Sequence, residues 1–250
     1  MNFNNIYKDL TYIIYNTYAS EMTSIYEIAK QKYNISYNFF RECINLLESQ
    51  DIIKVENVNI GVRGGKRSIV LATKNGEEYA LKFFDKILQE REAERLLRIH
   101  STLPHGYFNK YCVDALKDAG FEVNDDYESN RIKTSLVSDF ENSLVCESDF
   151  NIVYNYKKYL FEAETSKCQS DNVKQKLTKM YDLADSDVIS ATCFYICPNK
   201  KACESIKNDI DVWRRENNVY NGFDVIVINA SIKDKIAEQV KNAIKKEASA

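Results

Sequence analysis

Asp149-Phe150-Asn151-Ile152-Val153-Tyr154, then Asn155-Tyr156-Lys157-Lys158, then Tyr159-Leu160-Phe161-Glu162-Ala163-Glu164-Thr165-Ser166-Lys167 is the stretch whose reading decides the fold. Two apolar, β-rich runs flank a short polar connector, the pattern of an antiparallel hairpin. With the turn centred on Tyr156, Asp149 lies opposite Ala163, between Glu162 and Glu164. Side chains alternate along a strand, so Glu162 and Glu164 share a face. Three carboxylates then converge at one end of an otherwise apolar hairpin. Unpaired acids repel one another and resist burial. A divalent cation resolves that conflict, and an all-oxygen ligand set selects Mg2+ or Mn2+.

The hairpin sits within alternating helices and strands. On its N-terminal side, His105–Ala119 carries Phe108, Cys112, Ala115 and Leu116 on one helical face and ends at Gly120. Phe121-Glu122-Val123 starts a strand, and Ile132–Val137 and Leu144–Val145 are short strand candidates. On its C-terminal side the spacing predicts a helix over Asn172–Leu183, a strand over Val188–Ile196, a helix over Lys201–Asn217, a strand over Phe223–Asn229 and a closing amphipathic helix over Ser231–Lys246. Such alternation implies an α/β domain, a mixed sheet with helices on its faces. Neither GxGxxG nor GxxxxGK[ST] occurs, which disfavours folds built on a glycine-rich phosphate loop.

The first third has a different grammar. Residues 4–19 and 22–31 and a stretch of about 36–49 carry apolar residues at helical spacing, among them Ile6, Leu10, Ile13, Ile14, Phe40, Cys43, Ile44 and Leu47. An extended run, Ile52–Val58, is followed by a turn at Gly61, Gly64 and Gly65, a strand at Ser68–Ala72 and a helix start at Thr73-Lys74-Asn75-Gly76. Three helices and then a hairpin is the order of a winged helix-turn-helix. Leu47-Glu48-Ser49-Gln50-Asp51-Ile52-Ile53 and Gly61-Val62-Arg63-Gly64-Gly65-Lys66-Arg67 resemble the recognition-helix end and the wing of archaeal and bacterial winged-helix regulators, over residues 1–86. The wing's Arg63, Lys66 and Arg67 are placed to reach phosphates. The third helix offers only Arg41, with Glu42 and Glu48 opposing, and residues 1–85 hold ten basic and ten acidic side chains.

Over about residues 100–230, within a second domain spanning 87–250, the chain resembles the PD-(D/E)xK, or restriction endonuclease-like, nucleases. His105–Ala119 corresponds to the helix that opens their core, and Glu162-Ala163-Glu164-Thr165-Ser166-Lys167 is similar to the "E-V-E-T-G-K" variant of archaeal and mobile-element members. Ser148 stands where the family has Pro, and Glu164 where it usually has Lys. The resemblance implies a Mg2+- or Mn2+-dependent DNA endonuclease. Asp149 and Glu162 would be metal ligands, Glu164 would orient the attacking water or bind a second ion, and Lys167 would contact the scissile phosphate. Glu94 and His105 are accessory candidates, with ordinary surface or capping roles as the simpler account. A homodimer is expected if two strands are cut. The alternatives are a catalytically inactive nuclease-fold DNA-binding regulator or assembly protein, and an RNase.

Composition constrains these readings without choosing among them. The chain has 250 residues, 44% hydrophobic and 28% charged, with a formal net charge of −3, so charge does not announce a nucleic-acid partner. With 7 Gly and 2 Pro, turn-rich all-β architectures are disfavoured. The run Leu10–Tyr15 is too short for a signal-peptide core or a membrane span, so a cytoplasmic protein is expected, without a membrane partner. Seven cysteines in no disulfide-framework spacing suit a reducing compartment. Cys193, Cys197 and Cys203 cluster in sequence, and the simpler account is that they pack as small hydrophobes in and beside a buried strand. The glutamates and arginines of 90–95 read as the solvated face of a helix over 86–100.

Overall fold

A computed structural model describes residues 3–125, 131–134, 144–165, 170–186 and 189–248. It is a mixed α/β protein with two compact units, residues 1–59 with 65–106, and residues 60–64 with 107–250. No helix among the described residues is long and apolar enough to cross a membrane.

The first unit opens with three helices, α1 (Phe3–Asn16), α2 (Met22–Tyr33) and α3 (Tyr37–Ser49). Ser36 caps α3, its side chain accepting from the Phe39 N–H, and Asn34 ends α2 in the left-handed region. Strands β1 (Ile53–Asn59) and β2 (Lys66–Ala72) pair antiparallel, Ile53 opposite Ala72 and Asn59 opposite Lys66. Helix α4 (Lys74–Leu81) follows, then α5 (Glu92–His100). The apolar positions noted in the sequence, Leu10, Ile14, Phe40, Cys43, Ile44 and Leu47, form one core with Ile25, Ile53 and Val70.

Residues 86–91 depart from the expected helix, and Arg91 departs most. Far from lying on a solvated face, Arg91 is 2% exposed. Its Nη2 donates to the carbonyls of Ala19 and Val70 and to Ser20 Oγ, while Ser20 Oγ accepts the Ala93 N–H. Upstream, the Leu88 N–H donates to the Tyr15 carbonyl and the Glu92 N–H to the Tyr18 carbonyl, so this segment is irregular chain tied to the end of α1, and α5 begins only at Glu92. A charged side chain goes inside here because backbone carbonyls, which a periodicity argument does not see, receive it.

Helix α6 (Leu103–Asp118) leads to β3 (Val123–Asn124), β4 (Arg131–Thr134), β5 (Leu144–Glu147), β6 (Phe150–Tyr154), β7 (Lys157–Ala163), α7 (Ser170–Asp185), β8 (Thr192–Cys197), α8 (Lys200–Asn217), β9 (Asp224–Asn229) and α9 (Lys233–Ala248). The main sheet runs β3-β6-β7-β8-β9, antiparallel up to β7 and parallel from β7 to β9, and β4 pairs with β5 apart from it. Phe150, Phe161 and Phe194 stack across three adjacent strands with ring centroids 4.8 and 4.6 Å apart. Alternation sends Leu160, Cys193, Tyr195 and Cys197 to the opposite face, into a core with Val173, Leu177 and Met180 of α7 and Ile206, Ile210 and Trp213 of α8.

The hairpin register differs by one from the expected one. Phe150 pairs with Phe161 and Tyr154 with Lys157, across a two-residue turn at Asn155 and Tyr156 with φ of 49° and 64°. Two consecutive left-handed residues make the tight turn whose twist matches the strands. Asp149 therefore stands level with Glu162 rather than Ala163. Of the strand expected over Val188–Ile196, Val188 lies outside the described residues and the strand runs Thr192–Cys197, with the Ser190 N–H just before it donating to the Lys158 carbonyl of β7.

Gly76, in the first turn of α4, supplies a test of the first unit. A Cβ there would lie 1.9 Å from both the Ile52 carbonyl oxygen and Tyr15 Oη, which are hydrogen-bonded to each other. A Gly→Ala change inside a helix ordinarily stabilises by about 1 kcal/mol. Gly76→Ala is expected to do the reverse and destabilise by about 3 kcal/mol, since one contact is rigid backbone. Urea denaturation of the two proteins reads the sign directly.

Candidate active site

The acidic cluster of the second unit is built by the hairpin and α7. Asp149, half-buried, precedes β6. Its N–H donates to the Phe161 carbonyl, and its Oδ2 accepts the Ala163 N–H at 2.8 Å, so the carboxylate extends the hairpin ladder by one step. Glu162 lies on β7 and is 0% exposed; Glu164, just past the strand end, is 7% exposed and donates its N–H to the Ile196 carbonyl at 2.8 Å. Both point to the α7 side of the sheet, as alternation requires.

From α7, Lys176 reaches into this cluster. Its ammonium contacts Glu162 Oε2 directly and lies 4.0 Å from Glu164 Oε1. Among the described residues, Glu162 Oε1 is buried without a hydrogen-bond partner, as is Ser148 Oγ. The oxygens of Asp149, Glu162 and Glu164 do not close to within 4.8 Å of one another as a trio, and the Lys176 ammonium lies against two of the three carboxylates.

The electrostatics follow from burial. Removal from water pushes the Glu162 carboxyl up to about 8, with Lys176 opposing and the Asp149 and Glu164 charges adding to the rise. Burial works against the Lys176 ammonium too, but Glu162, Asp149 and Glu164 outweigh it and hold its pKa above the ordinary lysine value. The half-buried ammonium is held charged by the carboxylates around it. Cys112 of α6, fully buried, is pushed well up by burial and by Asp149.

The expected site residues divide into those brought together and those set elsewhere. Asp149, Glu162 and Glu164 lie in one region of the second unit, each charge acting on Lys176, but their oxygens do not close to a common ligand distance. Lys167 lies outside the described residues. Sequence reasoning passed over Lys176, although a signal was present: on α7 the buried residues are Val173, Leu177, Met180 and Leu183, and position 176 falls within that apolar stripe. A lysine on the buried face of a helix calls for an acidic partner.

Among the accessory candidates, Glu94 ties α5 to β2. Its Oε1 accepts the Ala72 N–H at 3.2 Å and lies 4.0 Å from Arg91 Nη1. His105 is half-buried in the first turn of α6, its ring 5.0 Å from that of His100. Of the basic residues assigned to phosphate contact, Arg41 on α3 and Lys66 on β2 are exposed, and Arg63 is exposed within the 60–64 segment of the second unit. Arg67 is half-buried and pairs with Glu21 at 3.5 Å, so it is already engaged. Cys193, Cys197 and Cys203 do not form a three-thiol metal site: Cys193 and Cys197 are four residues apart on one strand, about 13 Å.

No protein-family model, curated protein or solved structure matches this chain.

Deprotonation of Glu162 should control cation binding. With its carboxyl raised to about 8, a proton competes with a divalent ion below that pH. Mn2+ affinity is expected to rise about tenfold per pH unit from pH 6 and to level off above about pH 8. Isothermal titration at several pH values measures the slope, which Glu162→Gln should flatten; a flat wild-type profile excludes Glu162 as a ligand.

Proposed function

We propose that the chain is a divalent-metal-dependent phosphodiester hydrolase, a DNA endonuclease of the PD-(D/E)xK kind, with its N-terminal unit a winged helix that positions DNA or dimerises the protein. One observation carries the reading: a fully buried glutamate, Glu162, leaves one carboxylate oxygen without a hydrogen bond among the described residues, beside Asp149 and Glu164. A buried carboxylate oxygen that no nearby donor satisfies is suited to a cation. The donor set is all oxygen, which fits Mg2+ or Mn2+. The winged-helix reading draws support from three helices followed by an antiparallel hairpin, with Arg41 and Lys66 exposed.

Asp149 and Glu162 would hold the ion. When bound, such an ion supplies Lewis-acid chemistry, acidifying a water and offsetting charge on the phosphate. The protein's own groups do the remainder. Lys176 keeps its proton and can transfer its contact from Glu162 to a non-bridging phosphate oxygen, where negative charge grows during attack. In that role it supplies the ammonium that is missing from position 164. Glu164, the less buried of the two glutamates, accepts a proton from the attacking water. Asp149 is held in place by the Ala163 amide.

A second reading rests on the Lys176–Glu162 contact itself. The ammonium already neutralises part of the cluster, which suits a nuclease-like domain that binds DNA without cutting it. The two readings separate experimentally. Under the enzyme reading, the wild type cleaves duplex, branched or single-stranded DNA, or RNA, with Mg2+ or Mn2+, and an Asp149→Ala/Glu162→Ala double variant loses at least about a hundredfold. Lys176→Met is expected to lose cleavage too while binding Mn2+ about tenfold or more tightly, because a cation that competes for the same carboxylates is gone. Absence of metal-dependent cleavage on every substrate, with DNA binding retained, supports the second reading.

A further inference from the structure

We propose that β9 pairs antiparallel with β9 of a second copy of this chain, joining the two sheets about a two-fold axis at Val227. The proposal stands independently of the nuclease reading and of any role of the N-terminal unit. It starts from the direction of backbone groups. β9 ends the strand order β3-β6-β7-β8-β9, so among the described residues only one of its sides is paired. On that side the Asp224 N–H donates to the Ala191 carbonyl and the Ala230 N–H to the Cys197 carbonyl, both at 2.8 Å. Backbone groups alternate along a strand, and the parallel register with β8 continues this set through Ile226 and Ile228. Val225, Val227 and Asn229 therefore turn their N–H and C=O groups to the open side.

The strand carries none of the devices that keep an edge single. Natural edges are blunted by lysine, proline, a bulge or extreme shortness. Asp-Val-Ile-Val-Ile-Asn has neither lysine nor proline, is 6 residues long, and keeps an unbroken register with β8. Its one charge, Asp224, stands at the end. Val225 and Val227 are half-buried against the core under α8, so the strand is anchored on the α8 face while its open backbone edge stays unpaired among the described residues.

Symmetry selects a second copy as the occupant. In an antiparallel ladder, residues that both turn their groups to the shared side stand opposite each other and exchange two hydrogen bonds. Centred on Val227, the pairs are Val227 with the partner's Val227, and Val225 with the partner's Asn229 in both directions, so one set of groups satisfies itself. The strand ends agree. Tyr220, 65% exposed, precedes β9, and Ile232, 50% exposed, follows it. Antiparallel pairing brings each Tyr220 to the end of the joint sheet that holds the partner's Ile232, and covers both. It also carries Asp224 to the end where the partner's α9 begins with Lys233, Asp234 and Lys235, basic on balance. A parallel arrangement would set the two Asp224 carboxylates side by side. The contact uses the same patch on both copies and closes at a dimer.

Sedimentation equilibrium of the full-length protein, over about a hundredfold range of concentration, is expected to show monomer and dimer and no larger species. Hydrogen exchange resolved to single amides locates the contact. In dilute protein the Ile226 and Ile228 amides exchange slowly and those of Val225, Val227 and Asn229 fast; in concentrated protein all five become slow. Val227→Pro removes only an outward N–H, which an edge strand tolerates, and should be monomeric throughout. Tyr220→Glu/Ile232→Glu alters exposed positions alone, should weaken association at least about tenfold, and serves where the proline variant folds poorly. A wild type that stays monomeric, a dimer that leaves the Val225, Val227 and Asn229 amides fast, protection of those three amides already in the monomer, or a ladder of larger oligomers would each overturn the proposal.

Discussion

Two residues with positive φ, Asn155 and Tyr156, determine where Asp149 stands relative to Glu162. A hairpin closed by two residues pairs positions whose numbers differ in parity from those of a hairpin closed by three. A shift of one would carry every side chain of β6 past its partner and turn the apolar set outward. The turn thereby aligns Phe150 with Phe161, sends Glu162 toward α7, and leaves Asp149 to accept the Ala163 amide. The phenylalanine stack on one face and the acidic cluster on the other are two results of the same pairing.

Once that pairing is set, the cluster acquires its character from what α7 presents to it. Glu162 is carried inside by the strand, where water cannot solvate it. Lys176 meets one of its oxygens and leaves the other without a donor among the described residues. A carboxylate half satisfied in this way leans toward its protonated form, which burial and the neighbouring acids favour and Lys176 opposes.

Much of this was legible in the sequence, because local periodicity records which face of each element is buried. The helices around Phe40 and Leu47, around Phe108 and Leu116, and around Ile206 and Ile210 appear within a few residues of their expected bounds, as do the strands from β6 to β9. The carboxylates were readable because acids within an apolar strand conflict with their surroundings. What was not legible depends on chain segments distant in sequence. The turn's length could not be separated from its composition, since Tyr156 is an uncommon residue for a left-handed position. Arg91 reads as a surface residue until the carbonyls of Ala19 and Val70 are known to meet it. Lys176 carried a signal, but one that becomes specific only once β7 is placed beside α7.

The burial of Arg91 bears on how the protein can be dissected. A fragment ending at residue 86, where the sequence suggests a border, would lack the guanidinium that serves Ala19, Ser20 and Val70, and the Glu94 oxygen that accepts from Ala72. Those groups belong to the α1–α2 connection and to β2, which such a fragment would retain with their partners removed. The smallest N-terminal piece with a fully served backbone therefore extends through α5. A binding assay on a shorter piece would report on a protein missing part of its own interior.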